Sequence, residues 1–170
     1  MYQQRGPVRK TFLPELKDKA RQVVFEYLKA RLEDSEEVVA VESDGPDRYM
    51  IRIAGRTKDF LTIWFEVGDR TLSYECYFMP DPQENHEALY RYLLLKNSEM
   101  YLCRFSLASD HDVFITGQIP IEAVSEEEVD RIVGSIYHYT EAFFRPALHT
   151  GFASYFKRKN RGREGETGQE

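Results

Sequence analysis

Residues 61–78 constrain the fold more than any other stretch of the chain. Leu61, Ile63, Phe65 and Val67 alternate with Thr62, Trp64 and Glu66; the pair Gly68-Asp69 follows; then Leu72, Tyr74, Cys76 and Phe78 alternate with Ser73, Glu75 and Tyr77. A period of two sends successive side chains to opposite faces of a strand. Two such runs around a glycine-bearing turn make an antiparallel hairpin with one buried face. That face needs a cover, so the rest of the chain has to supply one.

Neighbouring segments extend the sheet. "EVVAVES" and "RYMIRIAG" are short β-prone runs around the turn Asp44-Gly45-Pro46-Asp47. Tyr101, Cys103, Phe105 and Leu107 alternate with Leu102, Arg104 and Ser106; Ser109-Asp110-His111-Asp112 turns the chain; Val113, Ile115 and Gly117 then alternate with Phe114 and Thr116 up to Pro120. Tight turns between consecutive strands imply antiparallel pairing.

Helical spacing fills the remainder. From Pro14, suited to a first helical turn, Leu16, Ala20, Val23, Val24, Tyr27, Leu28 and Leu32 recur on one side until about Asp34-Ser35. A second helix spans Gln83–Asn97, with Ala88, Leu89, Tyr92, Leu93 and Lys96 on one side. Tyr90, Leu94 and Leu95 widen its apolar surface, and a helix apolar on more than one side is covered on more than one side. Asn97 can take the left-handed turn that stops it. Ser125 and Glu128 form a capping box that opens a third helix, with Val129, Ile132, Val133, Ile136, Thr140 and Phe143 inward. Pro146 is expected to kink or break it, and Gly151 precedes a short apolar piece, Phe152–Phe156. The expected class is therefore α+β, in the order α-β-β-β(-β)-α-β-β-α, with five to six antiparallel strands and helices packed on them.

The chain has 170 residues, 42% of them hydrophobic, with 11 Tyr and 11 Phe, which is enough for one domain with a core. The net charge of −6 divides into +3 on residues 1–10, +2 on residues 157–170 and −11 on everything between. An acidic body repels nucleic acid phosphates. One domain over residues 11–156 is expected, between structureless tails at 1–10 and 157–170. There is no run of about 18 apolar residues, so no membrane span is expected. The first ten residues lack a signal peptide's apolar stretch, and Cys76 and Cys103 lack CxxC spacing, so a reduced, cytoplasmic setting is expected.

The chemistry-bearing residue types do not assemble into a catalytic motif. His86-Glu87 would need a second histidine one helical turn on to resemble a zinc protease; that position holds Tyr90. His138 and His149 stand either side of Pro146, with Glu141 the one near carboxylate. His111 lies in "SDHD", which lacks an EF-hand's length, glycine and final glutamate, and turn chemistry accounts for it. Cys76 and Cys103 fall on the inward parity, where free thiols act as small apolar groups. Glu126-Glu127-Glu128 suits the negative first turn of a helix. GxSxG, GxGxxG and GxxxxGK[ST] do not occur. A non-enzymatic chain without cofactor or metal is expected. Large apolar side chains at Trp64, Tyr77, Leu102 and Phe114 fall on the non-core parity among Thr62, Glu66, Ser73, Glu75, Arg104 and Thr116, a mixture that suits a binding face.

"PDPQENHEALYRYLLLKN", "RFSL", "DVFITGQIP", "VSEEEVDRIVG" and "GFAS" resemble the YbjN-domain proteins of actinobacteria over about residues 48–156. The most specific pieces are Glu84-Asn85, Leu93-Leu94 before Asn97, Asp130-Arg131 with Gly134, and Gly151-Phe152-Ala153. The resemblance implies a bacterial sensory transduction regulator and a fold similar to the type III secretion chaperones: helices on one side of an antiparallel sheet, often dimeric. It carries no catalytic residues over. The expected function is a chaperone-like or regulatory protein-binding module. Trp64, Tyr77, Leu102 and Phe114 would meet a protein partner, and Tyr90, Leu94 and Leu95 would pack a homodimer. The alternative is a nucleic-acid-associated regulator using the basic run Lys157 to Arg163.

Overall fold

The computed structural model describes residues 13–166, with side chains from residue 14 to residue 159. The elements are α1 (Leu13–Asp34), β1 (Val38–Asp44), β2 (Arg48–Ala54), β3 (Phe60–Val67), β4 (Thr71–Met79), α2 (His86–Asn97), β5 (Arg104–Leu107), β6 (Val113–Pro120), a 3-10 turn (Ile121–Ala123), α3 (Glu126–Gly151) and α4 (Ala153–Glu166). All six strands form one antiparallel sheet in the order β1-β2-β3-β4-β6-β5. The expected α+β order holds, with α4 added at its end.

The period-two pattern of β3 and β4 becomes a burial pattern. Leu61, Ile63, Phe65, Leu72 and Phe78 are fully covered, and so are Leu28 of α1, Leu89 of α2 and Ile132 and Ile136 of α3. All these residues belong to one core on the helix side of the sheet. Phe78 stacks edge-on against Phe105 at 4.8 Å and Phe144 at 5.6 Å, tying β4, β5 and α3 together. Fully burying one such side chain is worth about 1.5–3 kcal/mol. Polar latches then fix the helices. Tyr27 Oη donates to Asp130 at 2.7 Å between α1 and α3. The Glu141 carboxylate of α3 accepts the N–H groups of Arg56 (2.9 Å) and Thr57 (3.1 Å) in the β2–β3 connection. At the start of α3, Ser125 Oγ accepts the Glu128 N–H at 3.3 Å, as a cap should.

Several local expectations give way to tertiary contacts. α2 begins at His86 rather than Gln83, because the N–H groups of Gln83 and Glu84 point away, to Gly151 O at 3.0 and 3.2 Å. Asn97 does not turn left-handed; among the described residues, those outside glycine with positive φ are Asn85, Leu102 and His111. β5 starts at Arg104 rather than Tyr101, since Leu102 at φ 65° cannot continue a strand. Pro146 lies inside an unbroken α3. Its ring removes the helical donor for Ala142, at a cost of about 3 kcal/mol. Beyond it, Ala147 is buried, Thr150 Oγ1 donates back to Pro146 O at 2.9 Å, and Gly151 O holds the loop before α2. Those contacts keep the last turn helical. The tail expected from residue 157 is helical through Glu166. Its first turn is capped by Glu84, whose carboxylate accepts Ser154 N–H at 2.5 Å and Ser154 Oγ at 2.9 Å. The tail expected at residues 1–10 lies outside the described residues.

Candidate functional site: the outward sheet face

Among the described residues, the helices pack on the core side of the sheet, and the other parity of its six strands faces outward. The register fixes which residues share that face. Trp64 on β3 stands opposite Met50 on β2 and Glu75 on β4; Glu75 faces Thr116 on β6, and Thr116 faces Arg104 on β5. One step along, Tyr77 faces Phe114, and Phe114 faces Ser106. The face therefore carries two aromatic centres in a polar field.

At the first centre, the Arg48 guanidinium lies 4.3 Å above the Trp64 ring. It is also 3.8 Å from Glu75 Oε1 and 3.8 Å from Asp44 Oδ2. A cation–π contact and two loose ion pairs hold a flexible side chain over the indole. Met50, directly opposite, is only 6% exposed although it is absent from the inner core, so the indole side of this face has its own small apolar floor. A hollow of about 230 Å³ runs beside it, lined by Arg48, Trp64, Glu66, Glu75, Arg104 and Gln118.

At the second centre, Tyr77 and Phe114 meet edge-to-face at 5.5 Å, and Tyr77 stays 38% exposed. The Lys58 ammonium sits 4.7 Å above the Tyr77 ring. It donates to the carbonyls of Tyr77 and Phe78, the point where the β4–β6 register shifts. Burial lowers the Lys58 pKa. Burial also raises that of the Tyr77 phenol, with Asp112 and Asp110 adding to it.

Trp64, Tyr77 and Phe114 thus share the outward face. Leu102 does not: in its left-handed conformation it leaves the strand, packs against the inner core, and offers its carbonyl to Tyr74 Oη. Met50, Arg48 and the exposed Phe60, under the Arg52 guanidinium at 5.6 Å, complete the face and escaped sequence reasoning. Strand parity could have found Met50 and Phe60, because Met50 pairs with Trp64 and Phe60 with Ala54.

The residues expected to pack a second copy lie elsewhere, on α2. Only Leu89 and Leu93 of this helix are buried. Leu94 and Leu95 are 69% and 60% exposed, and Tyr90 is half-buried. Between α2 and β5 lies a mainly apolar hollow of about 380 Å³, lined by Tyr90, Leu93, Leu94, Phe105, Leu107 and Val113. β5 is an edge strand, yet Asn97 closes part of it. Its side chain accepts the Phe105 N–H at 2.6 Å and donates to the Phe105 carbonyl at 3.3 Å, as a neighbouring strand would.

The remaining chemistry-bearing residues are dispersed. Burial pushes the Cys76 thiol up to about 11 and the Cys103 thiol up to about 12, which keeps both protonated and poor nucleophiles. His86 Nε2 and His111 Nδ1 each stand 3.9 Å from a different oxygen of Asp81. Among the described residues, no group of three or more His, Cys, Asp or Glu is placed to hold a metal ion. No helix among them is long and apolar enough to cross a membrane.

An antiparallel sheet with helices on one face and aromatic side chains on the other defines an α+β sandwich. It is similar to a chain in the structure of the HopA1-SchA chaperone-effector complex, with a TM-score of 0.53 and 13% identity over 82% of this chain and 99% of that one. At that identity the likeness is one of fold. The chain belongs to the YbjN family, described as "Putative bacterial sensory transduction regulator", which it matches over residues 21–149. Uncharacterised proteins of Mycobacterium tuberculosis and Mycobacterium bovis are each 29% identical over 114 residues, 67% of this chain. One from Mycobacterium leprae is 26% identical over 116 residues, 68% of this chain and 63% of its own length. The match spans 62% of the length of the first two.

Proposed function

We propose that this chain is a non-enzymatic, chaperone-like or regulatory protein-binding module that works as a homodimer in the cytoplasm. The observation that carries the binding role is the outward sheet face, where Trp64, Tyr77 and Phe114 stand in reach of solvent among charges of both signs. Aromatic side chains ringed by polar groups are the usual make-up of an interface centre. Membership of a family described as transduction regulators and a fold like that of a chaperone-effector complex both support a protein as the ligand.

Capture from native cells with the wild-type chain and with Trp64→Ala tests this face. Loss of the captured protein from the variant, with its circular dichroism unchanged, is the expected result; equal capture would remove the face from consideration. Dimer formation is assigned to the exposed leucines of α2. Sedimentation at micromolar concentration should give a dimer for the wild-type chain and a monomer for Leu94→Glu/Leu95→Glu. A wild-type chain that stays monomeric at high concentration would overturn the assignment.

A further inference from the structure

A third hollow lies away from the outward sheet face, where the end of α1 meets the start of β1 and the middle of α3. It measures about 160 Å³, below the roughly 300–1,000 Å³ of sites for drug-sized ligands. Its lining mixes apolar walls, Val38, Ile53 and Val133, with Tyr27, Arg31, Ser35, Glu37, Asp130 and Tyr137.

Three observations set it apart. First, charges of both signs line it without meeting. Among the described residues, Arg31, Glu37 and Asp130 appear in no ion pair. Asp130 is held in place by Tyr27 Oη, a phenol that burial and this same carboxylate keep protonated. Secondly, Arg31 Nε is buried with no hydrogen-bond partner among the described residues, and a buried polar atom left unpaired in a native protein calls for an explanation. Its terminal nitrogens are not among the buried unpaired atoms. Thirdly, Gly134 lines the same hollow inside α3, and no atom of the described residues lies within 4 Å of where its Cβ would stand. Glycine is disfavoured in a helix interior relative to alanine, and nothing in the chain's own packing requires it here.

We propose that this hollow binds a small zwitterion of the α-amino-acid class. The ligand carboxylate pairs with the Arg31 guanidinium, and planar bidentate geometry suits that pair. The ligand ammonium is met by the carboxylates of Asp130 and Glu37. Its side chain rests on Val133 and Tyr137, with the bare edge of Gly134 leaving room. A group bearing one charge would be attracted by one sign of charge in the lining and repelled by the other, so a lining of both signs selects a molecule carrying both. The site does not depend on the outward sheet face.

Calorimetric titration of the full chain with the common amino acids tests it, each paired with its N-acetyl derivative and its decarboxylated amine. At least one amino acid should bind, and both singly charged analogues should bind at least about tenfold more weakly. Arg31→Gln, on a half-exposed helical position, should weaken binding at least about tenfold with thermal stability kept. Gly134→Leu should fill the hollow and remove the binding heat. The proposal falls if no amino acid gives heat or a thermal shift at about 10 mM, the weak end of measurable affinity. It falls equally if a singly charged analogue matches its parent, or if binding survives Arg31→Gln.

Discussion

On β3, Leu61, Ile63, Phe65 and Val67 are buried on one side, while Thr62, Trp64 and Glu66, each one residue along, face solvent wholly or in part. The same backbone therefore supports two surfaces with opposite tasks. The inner one has α1, α2 and α3 laid on it, and its aromatic residues interlock, as Phe78 does with Phe105 and Phe144. The outer one has aromatic residues too, yet its indole is covered by a charged side chain rather than by a helix. An aromatic ring capped by a guanidinium can be uncovered by moving one flexible side chain. A ring between sheet and helix can be uncovered only by unfolding. The difference separates residues that hold the fold from residues free to meet something else.

The largest test of that division is a matched pair of truncations. Phe78→Ala leaves a cavity where three rings met and should cost about 3–5 kcal/mol, enough to threaten folding of a domain this size. Trp64→Ala removes a larger side chain but should cost only about 1 kcal/mol, chiefly through the lost cover of Met50. Urea unfolding of both variants checks the pair. Equal costs would mean that the outer aromatic residues are a second core and not a binding surface.

A smaller effect sharpens the inner half. Gly117 on β6 lies opposite Tyr74 on β4, and the Tyr74 ring crosses it to reach the Leu102 carbonyl. A Cβ at this position would land on that ring and on Leu102 O. Gly117→Ala should therefore cost about 2–3 kcal/mol as overpacking, read by the same unfolding curves. A neutral result would show that the start of β5 is not tied to β4 in this way.

The inner face was legible in the sequence and the outer face only partly so. Period-two alternation placed Leu61 to Phe78 inward, because parity needs no knowledge of distant contacts. Half of the capping box at Ser125 was readable for the same reason: its Oγ and the Glu128 N–H lie three residues apart, while the Glu128 carboxylate turns to Arg131 instead. What could not be read is what depends on long-range partners. Asn97 looks like a left-handed stop, yet its amide is used by Phe105, eight residues on. Pro146 looks like a break, yet contacts with the loop before α2 keep the helix going. Leu102 sits on the outward parity of a strand that, at that position, does not exist. Arg31 and Asp130, which line the α1–α3 hollow together, come from segments about a hundred residues apart, and no local pattern announces them.

The smallest expected effect probes the outer face alone. Trp64 is the only tryptophan in the chain, so fluorescence excited at the indole reports on this surface and on nothing in the inner core. Arg48 lies over its ring at 4.3 Å, a contact worth about 0.5–1 kcal/mol at an exposed site. Arg48→Gln should lower stability by no more than that and should leave the near-ultraviolet circular dichroism of the buried tyrosines as it was. The indole, uncovered, should emit at longer wavelength and be quenched more readily by acrylamide. If both optical signals stay where they were, the guanidinium is not what shields Trp64. If stability falls by several kcal/mol instead, Arg48 belongs with the residues that hold the fold, and the division between the two faces is drawn in the wrong place.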